Sequence, residues 1–446
     1  MTVLILWLFS TLWHEDWTNA GIDELLIRTK EKPTVFTGTV PLGRAELSHF
    51  LNNVSSATTP ELWLKEKLER ELDNYERFEY SAGIISDSST REATLIGKGV
   101  HTSFLTVFVE PMAKFNASNE YPTNLWQDFV GCEYLKGYIK LSGFGTSITL
   151  GREPIKWGPS PRNNLILSGN APPFDMVKLN YSNSKFKFSF LGTLLDSLLG
   201  CNRYLTGHRL EYKINNPLYI GISEIALFGG KNKLPDLYYF NPVFIYYPYQ
   251  WNRPSEVNIL WSMDFKLLLN QIGIYGEFLI DDTPYSETEV GDRPKIGINT
   301  GVQWAVGKNY FLAEYTNVTR WTYDHLHPWQ QYTYLGYGIG HPSGPDFDET
   351  FLGINHHFSK SVDFLLDYTL FRKGEGTINE PYPVLPNHFP SDYWLTGTLK
   401  YANKIELGMQ IHKTFTVSCK AGYIISEGNN TPVFSVFLHN ISKAVL

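Results

Sequence analysis

The sequence predicts an all-β protein, a large closed antiparallel transmembrane β-barrel of about 16–18 strands with a short N-terminal α-helical periplasmic part. The first observation is a two-residue alternation of apolar and polar side chains, which recurs from about residue 80 onward. The second is composition: charged residues are 19% and aromatic residues 15% of the 446 residues, whereas charged residues average about 25% in soluble domains. The third is that no apolar run is long enough to be a spanning helix.

Each alternating segment has one apolar face, because successive side chains of a strand point to opposite sides. In residues 405–412, isoleucine, leucine and methionine alternate with glutamate, glycine and glutamine. The polar faces carry mostly Gly, Ser, Thr, Asn and Gln, which suits a barrel lumen better than a soluble surface. Residues 395–401 alternate in the same way and are predicted to be a strand. Tyr393 and Trp394, beside this segment, are interpreted as part of an interfacial aromatic girdle.

One segment breaks this pattern. Glu224 falls on the same face as the apolar residues Leu218, Ile220 and Ile222. A carboxylate that faces lipid is unfavourable. We therefore expect a β-bulge that returns Glu224 to the lumen.

The alternation and the N-terminal pattern divide the chain into three parts. Residues 1–20 are predicted to be a signal peptide, because residues 3–9 form an apolar stretch of the length of a signal-peptide core. Residues 21–80 are predicted to be a periplasmic helical segment. Residues 81–446 are predicted to be the barrel, with long extracellular or lumen-plugging loops.

Two helices are expected within residues 40–78. The second is the stronger, because Thr59 can cap it, Pro60 suits its first turn and Glu61 complements the helix dipole. Each helix carries an apolar stripe that must pack against another surface. The stripes are Leu47, Phe50, Leu51 and Val54 in the first helix, and Leu64, Leu68, Leu72 and Tyr75 in the second.

Long irregular stretches between the strands are rich in Pro, Gly, Trp, Tyr and His, and function is expected in them. The most distinctive segment, residues 151–174, reads GREPIKWGPSPRNNLILSGNAPPF. With residues 207–230, 238–252 and 315–346, this segment resembles the capsule assembly outer-membrane proteins of the Wzi type. The resemblance covers most of residues 80–440.

The resemblance implies a monomeric outer-membrane β-barrel that acts as a surface lectin and retains capsular polysaccharide on the cell. The implied partners are capsular or other surface polysaccharide, outer-membrane lipid and the barrel assembly machinery. We expect no cofactor, no metal and no nucleic-acid partner, and the net charge of −7 agrees with the last of these.

Two interpretations of the segment 151–174 remain open. In the first it is a glycan or pore-constricting site, with Trp157 as a stacking face and Arg152 as a donor. In the second it is a structural plug, folded into the lumen and held by an ion pair from Arg152 to Glu211 or Glu224. The candidate residues are Arg152, Glu153, Trp157, Gly158, Pro159, Asn170, Pro172, Pro173, Arg209, Glu211 and Glu224.

An aromatic and histidine cluster near residue 325 is the first choice for a ligand site. Sugar rings have apolar C–H faces that stack on Trp and Tyr, while sugar hydroxyls need planar donors and acceptors nearby. The alternative is an interfacial girdle with a self-packed loop. The candidates are Arg320, Trp321, Tyr323, Asp324, His325, His327 and Trp329, with Trp251 and Arg253 as a second, weaker set.

Catalysis finds little support, because no serine lies in a nucleophile elbow and no Ser/His/Asp set is suggested by spacing. The sequence therefore predicts a non-enzymatic polysaccharide binder. The main alternative is a porin or diffusion channel, in which lumenal charges set selectivity. A lipid-modifying barrel enzyme is a third possibility.

Overall fold

The computed structural model describes residues 17–30, 32–55, 58–73, 78–86, 91–102, 104–115, 130–252, 257–282, 294–325, 327–380, 393–413, 416–426 and 429–439. Most of the predicted signal peptide therefore lies outside the described residues. The described helices are α1 (Trp17–Arg28), α2 (Arg44–Asn53), α3 (Thr59–Asp73) and the short α4 (Tyr247–Asn252). Helices α2 and α3 match the two predicted ones, and α1 is a third that the sequence pattern did not reveal.

Eighteen of the described strands form one closed antiparallel barrel, within the predicted range. They are β2 (Phe78–Ser86), β3 (Arg91–His101), β4 (Leu105–Phe115), β5 (Val130–Gly143), β6 (Thr146–Glu153), β8 (Phe174–Ser182), β9 (Phe186–Leu198), β10 (Cys201–Asn215), β11 (Leu218–Lys231), β12 (Val257–Leu268), β13 (Ile272–Asp282), β14 (Lys295–Val306), β15 (Asn309–Val318), β18 (Phe347–Ser359), β19 (Val362–Lys373), β20 (Lys400–His412), β21 (Thr416–Ser426) and β22 (Asn429–His439).

Each barrel strand pairs with the next one along the chain, and β22 closes the ring on β2. Four further short strands pair off outside the wall. β1 (Thr39–Val40) pairs with β7 (Lys156–Trp157), and β16 (Thr333–Tyr334) pairs with β17 (Tyr337–Gly338).

The two faces of the wall meet different surroundings, as β14 shows. Ile298, Val302 and Trp304 are 42 to 46% exposed on the outer face, whereas Asn299 and Gln303 are fully buried on the lumen side. An apolar outer face and a polar inner face are the pattern of a membrane barrel. The alternation therefore points its apolar side at lipid. No helix in the described part of the chain is long and apolar enough to span a bilayer.

The helical part fills the end of the lumen where the hairpin turns are short. Apolar residues of all three N-terminal helices form one buried cluster with inward-facing wall residues. The Arg28 guanidinium donates to the carbonyls of Gly307 and Asn309 in the β14–β15 turn, at 2.8 and 2.9 Å. The Gln271 N–H in the β12–β13 turn donates to the Ile27 carbonyl at 3.2 Å. Short turns face the periplasm in barrels of this type.

Asp363 on the inner wall is the centre of the ionic contact between wall and helices. Its carboxylate accepts hydrogen bonds from Lys67 of α3 at 2.7 Å, and contacts His357 at 2.9 Å and His412 at 3.1 Å. His357 contacts Glu24 of α1 through its other ring nitrogen, at 2.7 Å. These side chains are buried, so each charge depends on its partners rather than on water.

Two local predictions are wrong. The predicted strand at 395–401 begins only at Lys400, because residue Thr396 instead donates its hydroxyl and N–H to Asp346 in another loop. The expected bulge near Glu224 is absent, since β11 pairs in continuous register with β10 and β12 around this residue. Glu224 therefore points out of the barrel, where a loop covers it.

Replacing Asp363 by alanine is expected to loosen the helical part. The change leaves the Lys67 ammonium buried without its acceptor, and breaking a buried pair typically costs about 3–5 kcal/mol. Limited proteolysis of the folded barrel should cleave the helical part much faster than in the unmodified protein.

Glu66→Ala is the matched control, because it breaks the exposed Glu66–Lys360 pair, and such pairs contribute about 0–1 kcal/mol. Equal cleavage rates in the two variants would contradict the central position of Asp363.

Candidate functional site

Residues 154–173, which we call the plug loop, fold into the lumen between β6 and β8. The Glu277 carboxylate on the inner face of β13 accepts the N–H groups of Leu165 and Ile166, at 2.8 and 3.1 Å. Leu165 and Ile166 are fully buried. A buried backbone donor needs a partner, and here the wall supplies it. The structural interpretation of this segment as a lumen plug thus has direct support in its contacts.

Arg162 is the plug loop's main charged contact with the wall. Its guanidinium lies between Glu314 of β15, at 3.3 Å, and Glu349 of β18, at 2.7 Å. It also stacks on the ring of Phe351, 3.6 Å from the centroid. Although burial opposes the charge, the two carboxylates raise the pKa of Arg162 above its ordinary value. Two buried carboxylates and one guanidinium thereby hold the loop across the lumen.

The predicted ion pair of Arg152 with Glu211 or Glu224 is wrong. Arg152 lies on the outer face of β6, where its Nε donates to Asp175 of the adjacent strand at 2.8 Å. Glu211 instead accepts the Gly38 N–H at 3.0 Å and contacts Arg209 at 3.5 Å. The sequence could not reveal this, because it left open which face of the wall each charge occupies.

Arg209 lies on the inner face of β10 and donates to Asp264 at 2.6 Å, whereas the remaining predicted plug residues lie in or beside the plug loop. Glu153 binds Lys178 across adjacent strands at 2.6 Å, and the fully buried Trp157 ring is part of the core and has no exposed stacking face. Gly158 has a φ of 132°, and a side chain there would collide with Asn164. The Asn170 amide donates to the Gly338 carbonyl at 3.1 Å. Pro159, Pro172 and Pro173 belong to the same largely buried segment.

Residues 319–346, which we call the mouth loop, cross the other end of the lumen. Arg203 on the inner face of β10 donates to the carbonyls of Trp329 and Gln331, at 2.9 and 2.6 Å. The mouth loop also rests on the plug loop: the Tyr323 hydroxyl donates to the Leu165 carbonyl at 2.7 Å. The lumen is therefore filled by helices at one end, the plug loop inside and the mouth loop at the other end.

Three residues of the predicted glycan cluster, Trp321, Tyr323 and Asp324, are buried by this packing. Tyr323 is fully buried and Trp321 is 5% exposed, so neither ring offers a stacking face to an external sugar. Both carboxylate oxygens of Asp324 are buried without a hydrogen-bond partner in the described residues, and burial raises the pKa of Asp324 well above its ordinary value. Burial likewise lowers the pKa of His325 to about 4, assisted by Lys295.

Four of the predicted residues, Arg320, His325, His327 and Trp329, keep part of their surface exposed. The rings of His327 and Trp329 stack with centroids 4.4 Å apart and planes 4° apart. Arg320 donates to Glu380 at 3.0 Å and to Thr396 at 2.8 Å. These side chains lie on the outer surface of the mouth loop or beside it.

Two further aromatic residues, Tyr393 and Trp394, lie beside Arg320. We call Arg320, Glu380, Tyr393 and Trp394 the mouth surface. The Arg320 N–H donates to the Tyr393 carbonyl at 2.7 Å, which places Tyr393 and Trp394 next to Arg320. Their side chains are 39 and 40% exposed. The interpretation of these two residues as a strand-end girdle is therefore wrong, since they lie on the loop between β19 and β20. Their adjacency to Arg320 is a long-range contact that strand alternation cannot predict.

The positions of the weaker candidate pair, Trp251 and Arg253, cannot be compared with the prediction. Trp251 lies in α4, but its side chain is not described, and Arg253 lies outside the described residues. In the described chain no three His, Cys, Asp or Glu side chains are grouped so as to hold a metal ion.

A cavity of about 270 Å³ remains between α1, the plug loop and the wall. Charged side chains of both signs line its wall side, where Lys420 lies 3.5 Å from Asp367 and Lys404 lies 2.8 Å from Glu406. The cavity lies below the mouth loop and the plug loop.

Glu277→Ala is expected to release the plug loop. The change leaves two buried N–H groups without an acceptor, at about 1–3 kcal/mol for each. Hydrogen exchange at Leu165 and Ile166 should accelerate, and Glu277→Gln, which keeps one carbonyl acceptor, should show an intermediate rate. Unchanged exchange in Glu277→Ala would show that this carboxylate does not hold the loop.

The mouth loop should make stability depend on pH through His341. Burial, with Arg162 and Lys373 nearby and Glu349 opposing them, lowers the pKa of His341 to about 3. Below its ordinary value of 6.5, the unfolded chain takes up a proton that the folded one does not. Stability is therefore complete above about pH 6.5 and falls toward pH 3, by at most about 1.4 kcal/mol per pH unit for this group.

Thermal unfolding between about pH 7 and pH 4 measures this effect. His341→Gln should lose less stability on acidification than the unmodified protein. Replacing the exposed His49 by glutamine is the control, and a His341 variant that follows the control's pH profile would contradict the assignment.

Comparison with known proteins shows the family to which this chain belongs. The family model described as capsule assembly protein Wzi matches residues 76–431. The chain is similar to the solved structure of Wzi from Escherichia coli, whose description is an outer membrane protein involved in group 1 capsule assembly and a carbohydrate-binding β-barrel. The identity is 13%, the TM-score is 0.73, and the match covers 96% of this chain and 99% of that one.

Two Pseudomonas aeruginosa barrels are more distant. OccK3 (OpdO) is 8% identical with a TM-score of 0.48, over 81% of this chain and 93% of that one. OccD3 (OpdP) is 9% identical with the same TM-score, over 80% and 89%. No curated protein matches the sequence. The family match confirms the predicted family and the outer-membrane location. The chain belongs to the capsule assembly protein Wzi family.

Proposed function

We propose that this protein binds capsular or other surface polysaccharide at the outer membrane and thereby attaches the polymer to the cell. The observation that carries the proposal is the mouth surface, where exposed aromatic rings lie beside a guanidinium while the lumen behind them is filled. In this proposal the polymer meets the mouth surface from outside the cell and stays outside the barrel.

The chemistry of the mouth surface suits a sugar. Trp394 and Tyr393 offer partly exposed ring faces, and the adjacent Arg320 and Glu380 offer a planar donor and a carboxylate acceptor. The stacked His327–Trp329 pair is a second aromatic site on the same loop system. Each contact is weak alone, but many copies of a monomeric barrel can hold one long polymer, and the linked contacts then gain avidity.

Family membership supports this assignment, because the family is named for capsule assembly. The Escherichia coli relative is described as carbohydrate-binding.

As a membrane barrel, the protein is also proposed to need the barrel assembly machinery for insertion. Loss of surface-attached polysaccharide with unchanged synthesis, in cells that lack this protein, is the result expected. Unchanged attachment would overturn the proposal.

Trp394→Ala is expected to weaken binding of soluble polysaccharide by about tenfold, since truncating a central aromatic residue of a binding surface typically costs more than ~1 kcal/mol. Trp304→Ala is the matched control, because Trp304 is 46% exposed but lies on the lipid-facing wall. The dissociation constants of both purified variants should be measured in detergent. A similar constant for Trp394→Ala and the control would exclude Trp394 from the binding surface.

A further inference from the structure

The loop between β11 and β12 follows an unusual course. Residues 232–252, which we call the outer flap, pack on the outside of the barrel wall. Tyr239 and Tyr246 of the flap form one buried cluster with Tyr204, Phe228 and Ile259. Phe228 alternates with the inward-facing Leu227, and Ile259 alternates with Asn258, whose amide reaches the mouth loop inside the lumen. The flap therefore covers side chains that point away from the lumen.

Glu224 anchors the flap from the outer face of the wall. Its carboxylate accepts the N–H groups of Tyr246 and Tyr247, at 2.8 and 2.9 Å. His208, on the adjacent strand β10, lies 3.2 Å from the same carboxylate, and its ring packs against the Tyr246 ring with the two planes 58° apart. Glu224 is 1% exposed, so the flap encloses the outward-pointing charge.

The strand register gives the outward-facing neighbours of this anchor across the wall. The hydrogen-bonded row that contains Glu224 continues through Trp261 and Ile280 to Ile296 on the next strands. On the other side it passes through His208 to Phe190. The covered pair therefore has apolar neighbours on both sides of the outer wall, which is the composition of a lipid-facing surface. Without its cover, a carboxylate there would face hydrocarbon.

The flap exposes a group of aliphatic side chains beside the exposed polar residues Asn232, Lys233 and Asp236. Leu234, Leu237 and Val243 are 75 to 83% exposed, and Ile245 is 53% exposed. The carboxylate of Asp236, between the first two, is turned to the Tyr238 N–H. Such a concentration of exposed aliphatic side chains marks an interaction surface rather than an ordinary loop.

The neighbouring wall shows which partner fits. Below the flap, Ile222 and Met263 are 40 and 55% exposed on the outer face of the same strands, and Leu194 beside it is 63% exposed. The apolar surface of the flap is therefore continuous with the lipid-facing surface of the barrel. We propose that the outer flap is inserted in the outer leaflet of the membrane, where its aliphatic side chains contact lipid acyl chains.

Spin labelling tests this proposal directly. A nitroxide is attached at Leu237→Cys, or at Val243→Cys, in a full-length background in which Cys132, Cys201 and Cys419 are replaced. The protein is placed in vesicles of lipopolysaccharide and phosphatidylethanolamine. Two controls are used, Leu210→Cys on the lipid-facing wall and Leu335→Cys on the mouth loop. These two side chains are about equally exposed, at 43 and 45%.

The expected result is that labels on the flap resemble the label at residue 210, with collision rates severalfold higher for oxygen than for a water-soluble nickel complex. Labels that resemble residue 335 would place the flap in water and overturn the proposal, including the case in which the flap binds another protein. Adding Glu224→Ala should release the flap and raise the nickel collision rate at residue 237. An unchanged rate would refute the anchoring by Glu224.

Discussion

The fold depends on wall carboxylates that accept hydrogen bonds from the backbone of the loops packed against them. Inside the barrel, Glu277 binds two N–H groups of the plug loop. Outside it, Glu224 binds two N–H groups of the outer flap in the same way. A loop enclosed in a lumen or placed against lipid finds little water, so its donors must be satisfied by the protein. These acids allow irregular chain to pack on both faces of one wall.

Packing of this kind fills most of the barrel lumen. A barrel of eighteen strands is wide enough for an aqueous channel, yet here the helices, the plug loop and the mouth loop occupy it in succession. The charged cavity that remains lies between these layers. The proposed binding surface accordingly lies at the mouth, where Arg320 contacts Tyr393.

The sequence predicted the wall well, because period-two alternation is a local property of each strand. The composition then assigned the apolar face to lipid and the polar face to the lumen. It placed Glu224 correctly on the apolar face but invoked a bulge, since the cover comes from residues Tyr246 and Tyr247 further along the chain. The predicted aromatic cluster lies in the mouth loop. Its burial could not be foreseen, because the plug loop that covers Tyr323 belongs to a distant segment. Trp394 was misplaced for the same reason.

Planar-bilayer conductance of the purified, unmodified protein is the most direct test of the account. A filled lumen predicts a current that stays at the baseline of the bare bilayer after the protein has inserted. Steady single-channel steps would show an open lumen, and would favour the alternative of a diffusion channel over a surface that holds polysaccharide.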